Sequence, residues 1–141
     1  MAWLDAIGDL NWWAVLVATL SAFAVGYLYY STGALGRQWA NLVGLTAEEM
    51  NAVDGVWPRF AATAATSLLT AILLGALFLA TGVHGLWEGL VLGAVVGLVF
   101  RAGGHVIHHG FARLPTRLTL IDGLHDVIAL AVMGAILGLW Q

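Results

Sequence analysis

The chain has 141 residues, 61% of them hydrophobic and only 9% charged, whereas soluble domains carry about a quarter charged residues. That deficit, with long uncharged runs, excludes a water-soluble globule and points to a single integral-membrane domain. The absence of cysteine excludes disulfides and thiolate metal centres, and five scattered Arg against a net charge of −3 leave no nucleic-acid footprint.

Residues 1–11 hold Asp5 and Asp9 but no basic side chain, unlike a secretory signal. Trp3, Ile7 and Leu10 share one helical face, so this stretch reads as a short interfacial helix leading into the first span. Four spans follow, at 11–30, 58–80, 85–105 or a turn further, and 118–140. At about 1.5 Å per residue each is long enough to cross a hydrocarbon core of about 30 Å. Lipid supplies no hydrogen bonds, so the spans must be helices. The expected fold is all-α: a four-transmembrane-helix bundle with short interfacial helices in its first loop.

In that loop Thr46, Ala47, Glu48 and Glu49 spell a capping box. Met50, Val53 and Trp57 continue it as an apolar stripe, and Leu35, Trp39 and Leu42 mark another short amphipathic helix. Both fit a connector lying on the bilayer surface or a platform for a partner. In the second span Thr63, Thr66, Ser67 and Thr70 fall on one face, where hydroxyls bond back to their own helix or across to a neighbour.

Four crossings put both termini and the 81–85 turn on one face, and the 31–57 and 106–117 loops on the other. Arg37, Arg59, Arg101, Arg113 and Arg117 all lie on or near the loop face. The positive-inside rule then makes these loops cytoplasmic and both termini external, as for a bacterial inner-membrane protein. Trp12, Trp13, Trp87 and Trp140 mark the outer boundary, and Tyr27, Tyr29, Tyr30 and Trp57 the inner one.

The third and fourth spans carry matching four-residue ladders. Gly85, Gly89, Gly93, Gly97, Arg101, His105 and His109 run along one; Asp122, Asp126, Leu130, Gly134 and Gly138 run along the other. Folded as a hairpin, Gly89 comes level with Gly138, Gly93 with Gly134, Arg101 with Asp126 and His105 with Asp122. Small residues that let backbones approach form the dry end. Arg101, His105, Asp122, His125 and Asp126 form an ionisable nest at the wet end, where pairing offsets the cost of charge within lipid.

Three readings of the nest stay open. It is structural glue, or a single divalent-metal site drawn from His105, His108, His109, Asp122 and His125, or a station for proton or ion transport. The H-x-x-H-H spacing at 105–109 is similar to one histidine box of membrane desaturases, but five His in the whole chain are too few for a di-iron oxygenase. No nucleophilic triad can be assembled, since Ser21, Ser31 and Ser67 lie in no strand–turn–helix setting.

Several segments carry a family resemblance. They are Asn11-Trp12-Trp13-Ala14-Val15-Leu16-Val17-Ala18, Gly26-Tyr27-Leu28-Tyr29-Tyr30-Ser31, Gly36-Arg37-Gln38-Trp39, Gly44-Leu45-Thr46, Leu120-Ile121-Asp122-Gly123-Leu124-His125 and Met133-Gly134-Ala135-Ile136-Leu137-Gly138-Leu139-Trp140. Together they resemble the four-helix bacterial membrane family known as domain of unknown function seventeen sixty-one. The resemblance covers nearly the whole chain, is most specific at its two ends, and implies a multipass membrane protein with no assigned activity. The expected role is a non-catalytic accessory or interaction component in the lipid bilayer, as a homo-oligomer or a subunit of a larger complex. The alternative is a small transporter or channel-like unit whose nest binds a proton or a metal ion, and an intramembrane enzyme comes third.

Overall fold

Long apolar runs without interior proline leave the backbone one way to satisfy itself in lipid, and each of the four folds as a helix. A computed structural model describes residues 2–31, 33, 35–52 and 55–140. The order is α1 (Ala2–Asp5), a 3₁₀ turn (Ala6–Asp9), α2 (Trp12–Ser31), α3 (Leu35–Val43), α4 (Ala47–Asn51), α5 (Trp57–Thr81), α6 (Leu86–Val96), a π-helical segment (Gly97–Ala102), α7 (Gly103–Phe111) and α8 (Thr116–Trp140). The helices α2, α5, the continuous stretch Leu86–Phe111, and α8 are each long and apolar enough to cross a membrane. No strand occurs among the described residues.

The last span is the hub. The third span packs along α8 on one side, α2 and α5 pack on its others, and α2 also touches α5. Half of the α8 window is buried but only 11% of the third-span window, so the third span turns most of its surface outward. The apolar core joins Leu10, Ala14, Val15 and Ala18 to Ala71, Leu74 and Phe78 of α5 and to Met133 and Leu137 of α8. Alanines on α2 let the helices approach closely, and Phe78 and Met133 fill the space between them.

Hydrogen bonds stitch together the end that carries both termini. Asn11 Oδ1 accepts from the Trp13 and Ala14 N–H groups at 3.1 and 3.3 Å, capping α2, and Asn11 Nδ2 donates to the Trp140 carbonyl at 2.9 Å. The Gly85 N–H donates to the Gly138 carbonyl at 2.7 Å. Ala6 and Leu10 are buried and the 3₁₀ turn packs on α5, so the N-terminal segment is part of the bundle. The Trp3 side chain and Val53 lie outside the described residues.

At the opposite, basic end, α3 is bound to the bundle. A Cβ at Gly36 would overlap the Tyr30 carbonyl oxygen, so only glycine allows this approach. Trp39 packs on Tyr30 with ring centroids 5.2 Å apart, and Gln38 Oε1 accepts from Arg117 at 2.8 Å. The Thr46 capping box forms in full on α4. Its backbone N–H, then its hydroxyl, hold the Glu49 carboxyl below the usual carboxylate range. On α5, Thr63, Thr66 and Thr70 donate to the carbonyls of Arg59, Ala62 and Thr66 at 2.9, 2.8 and 2.7 Å, so these hydroxyls are spent within their own helix.

The third helix continues to Phe111, and residues 112–115 replace the 106–117 loop expected from the sequence. A tight C-terminal turn makes this reach possible. Ala112 N–H bonds the His108 carbonyl at 3.0 Å and Leu114 N–H the His109 carbonyl at 2.9 Å, with Arg113 at φ 55°. That conformation costs a side-chain-bearing residue about 1 kcal/mol. Arg113→Gly is therefore expected to raise stability by roughly that amount, read as a higher thermal midpoint in detergent.

Candidate functional site: the ionisable nest

The nest is built where a backbone irregularity meets the fourth span. At Gly103 the N–H reaches back five residues to the Leu98 carbonyl, the signature of a π turn. A four-residue ladder drifts about 40° per step around an ordinary α-helix. Wider π turns reduce that drift, which keeps Arg101 and His105 aimed at α8.

Asp126 is the centre, 4% exposed. Arg101 grips it with two hydrogen bonds, Nε to Oδ2 at 3.2 Å and an Nη to Oδ1 at 3.1 Å. His105 Nε2 lies 3.0 Å from Oδ2 and His125 Nδ1 3.2 Å from Oδ1. These four contacts use about all the lone-pair sites of one carboxylate. His105 is thus paired with Asp126, one turn deeper than the sequence placed it. Asp122 is taken up by the first span, its Oδ1 accepting from the Tyr30 hydroxyl at 2.9 Å.

His125 stands about 100° of helix before Asp126 and faces α2, away from His105. Its ring lies 5.4 and 5.0 Å from the rings of Tyr29 and Tyr30, and its buried Nε2 has no hydrogen-bond partner among the described residues. A Cβ added to Gly26 would sit 3.6 Å from that nitrogen. With Nδ1–H donated to the carboxylate, Nε2 is a bare acceptor. Tyr29 donates its hydroxyl to the Ile121 carbonyl at 2.9 Å. Both tyrosines therefore turn inward as parts of the nest, while Tyr27 and Trp57 are exposed.

His105, His109 and Asp122 converge, each offering one ligand atom within 4.8 Å of the others. His109 Nδ1 lies 3.2 Å from Thr119 Oγ1. His108 is exposed on the outward side of α7, and His125 points away, so neither joins this trio.

Below the nest the glycine ladders bring backbones together. A Cβ at Gly89 would overlap the Gly134 carbonyl, one at Gly93 the Leu130 carbonyl, and one at Gly138 the Gly85 carbonyl. Gly97 lies over Asp126 and Val127, where a Cβ would be 3.0 Å from each. Gly89 nests between Gly134 and Gly138 of α8, and Gly93 between Leu130 and Gly134.

An acid–base knot joining the first, third and fourth helices, above a glycine-packed hairpin, defines an all-helical, four-span membrane protein. The chain belongs to the family described as Protein of unknown function (DUF1761), whose model matches residues 13–138. No curated protein and no solved structure matches it.

Proposed function

We propose that the protein is a non-catalytic accessory component of a bacterial inner-membrane assembly, self-associated through its third span, with its basic end in the cytoplasm and both termini outside. The supporting observation is Arg101. Its side chain is 46% exposed although it lies within an apolar span. About 15 Å of helix separates it from Phe111, and its two bonds to Asp126 hold it back from stretching toward the surface. A charged side chain facing hydrocarbon costs about 3 kcal/mol on insertion scales. Its neighbours Leu98, Val99 and Phe100 are exposed too. A protein surface that brings hydrogen-bond acceptors to this face would offset the penalty, and we take a second copy of the chain to supply it. The orientation rests on the one-sided distribution of Arg.

The chain lacks cysteine, so single cysteines report cleanly. Phe100→Cys is expected to form a cross-linked dimer on oxidation in native membranes, and Leu69→Cys on the second span to remain monomeric. Cross-linking at Leu69 alone would move the interface elsewhere. For orientation, Leu35→Cys and Pro115→Cys should resist an impermeant thiol reagent in intact cells and react after permeabilisation.

A second reading, a small transporter, is favoured by the partly buried line His105–Asp126–His125, which offers proton-exchanging groups in series. Within one chain the line stops at the backbone contact of Gly89 with Gly134. A route would have to run between copies. Equal proton flux in liposomes for the native chain and Asp126→Asn would dispose of it.

A further inference from the structure

We infer that His105, His109 and Asp122 form a binding site for a divalent first-row transition ion at the basic end of the third and fourth spans. This goes beyond the accessory role and does not depend on it. The two histidines are four residues apart on one helix, the spacing that lets a single helical face supply two imidazoles to zinc. Asp122 comes from the facing helix. The three are partly buried, and one ligand atom from each lies within 4.8 Å of the other two.

Proximity alone would not carry the assignment; the outer partners do. Each member is also hydrogen-bonded by a group outside the trio, and each carries a second donor atom besides the one so engaged. His105 places Nε2 3.0 Å from Asp126, His109 places Nδ1 3.2 Å from Thr119, and Asp122 receives the Tyr30 hydroxyl on Oδ1 at 2.9 Å. Metal-binding imidazoles are held in this way, their other nitrogen bonded to a carboxylate or a polar oxygen that fixes the tautomer. In the neutral tautomer that donates Nε2–H to Asp126, Nδ1 carries the free lone pair. The charges agree as well. The nest holds two carboxylates and one guanidinium, which is bonded to Asp126, so the charge of Asp122 has no cation bonded to it among the described residues when the imidazoles are neutral.

A tetrahedral ion with bonds of about 2.1 Å sets its ligands about 3.4 Å apart, so from separations within 4.8 Å binding would draw the trio together by at most about 1.4 Å. The His105 and His109 rings already lie side by side, with centroids 4.9 Å apart. Two imidazoles and one carboxylate leave at least one coordination position open. The donor set suits zinc or iron(II) and disfavours calcium and magnesium, which take oxygen ligands.

The test is titration of the full chain, purified in detergent without a polyhistidine tag, with Co²⁺ and then with competing Zn²⁺. One equivalent of Co²⁺ should give the visible bands of a low-coordinate site, and Zn²⁺ should abolish them. Asp122→Asn, which keeps size and the Tyr30 contact, and His109→Ala should each weaken binding by more than about 100-fold, since loss of an outer partner alone costs about 10–100-fold. Thr119→Val, which only releases His109 Nδ1, should cost about 10-fold. His108→Ala, on the outward side, should bind like the native chain. Failure to take up one equivalent, or equal affinity in Asp122→Asn and the native chain, would overturn the assignment. If Asp122→Asn does not fold, unchanged affinity in both His109→Ala and Thr119→Val has the same consequence.

Discussion

Gly89→Val is expected to remove most of the folded protein from a detergent extract. A Cβ at position 89 would overlap the carbonyl oxygen of Gly134, and a Cβ at 134 would overlap that of Gly89. The colliding atoms are helix backbone on both sides, so no rotamer change relieves the clash. Separating the helices would break the Gly85–Gly138 hydrogen bond at one end and pull Arg101 from Asp126 at the other. Ordinary overpacking costs about 1–3 kcal/mol; a backbone-limited site should reach the top of that range or exceed it. Against a total stability of about 5–15 kcal/mol this is a large loss. Gly110→Ala is the internal control, because a Cβ there meets nothing within 4 Å. It should gain helix propensity, up to about 1 kcal/mol. Chromatographic homogeneity and thermal midpoint separate the two variants. Equal midpoints would mean that the third and fourth helices do not touch at position 89.

The fold was readable from the sequence wherever residue type is periodic. Uncharged runs mark the four helices, and matched ladders bring Arg101 opposite Asp126 because both helices repeat every four residues. Three features escaped that reading. The π segment at Gly97–Ala102 changes the winding without changing the residue pattern, so it left no mark beyond the strictness of the ladder itself. His105 meets Asp126 because the unwound segment and the long imidazole together span a turn. Tyr29 and Tyr30 look like boundary aromatics by position and composition. The missed signal was a third ladder, Ala14, Ala18, Ala22, Gly26 and Tyr30, small residues ending in a hydroxyl. Set against α8 it puts Tyr30 beside Asp122, where the structure has it.

Asp126→Ala should be the most damaging single change in the nest. The carboxylate receives Arg101 and both neighbouring imidazoles, and its removal leaves one cation and two ring nitrogens facing an apolar gap. Breaking a buried pair from one side costs about 3–5 kcal/mol, because the survivor keeps its desolvation penalty. Arg101→Ala should cost less. The guanidinium is 46% exposed, and the carboxylate left behind keeps its contacts with His105 and His125. The double replacement should therefore cost less than the two single changes added together, with a coupling of about 1–3 kcal/mol. Exchanging the charges, Arg101→Asp with Asp126→Arg, should recover only part of the loss. A guanidinium at 126 has no lone pair to offer His105 or His125, so the ion pair returns while the imidazole contacts do not. Unfolding midpoints of the four variants in one detergent decide the matter. If the two single changes simply add, Arg101 and Asp126 are not energetic partners.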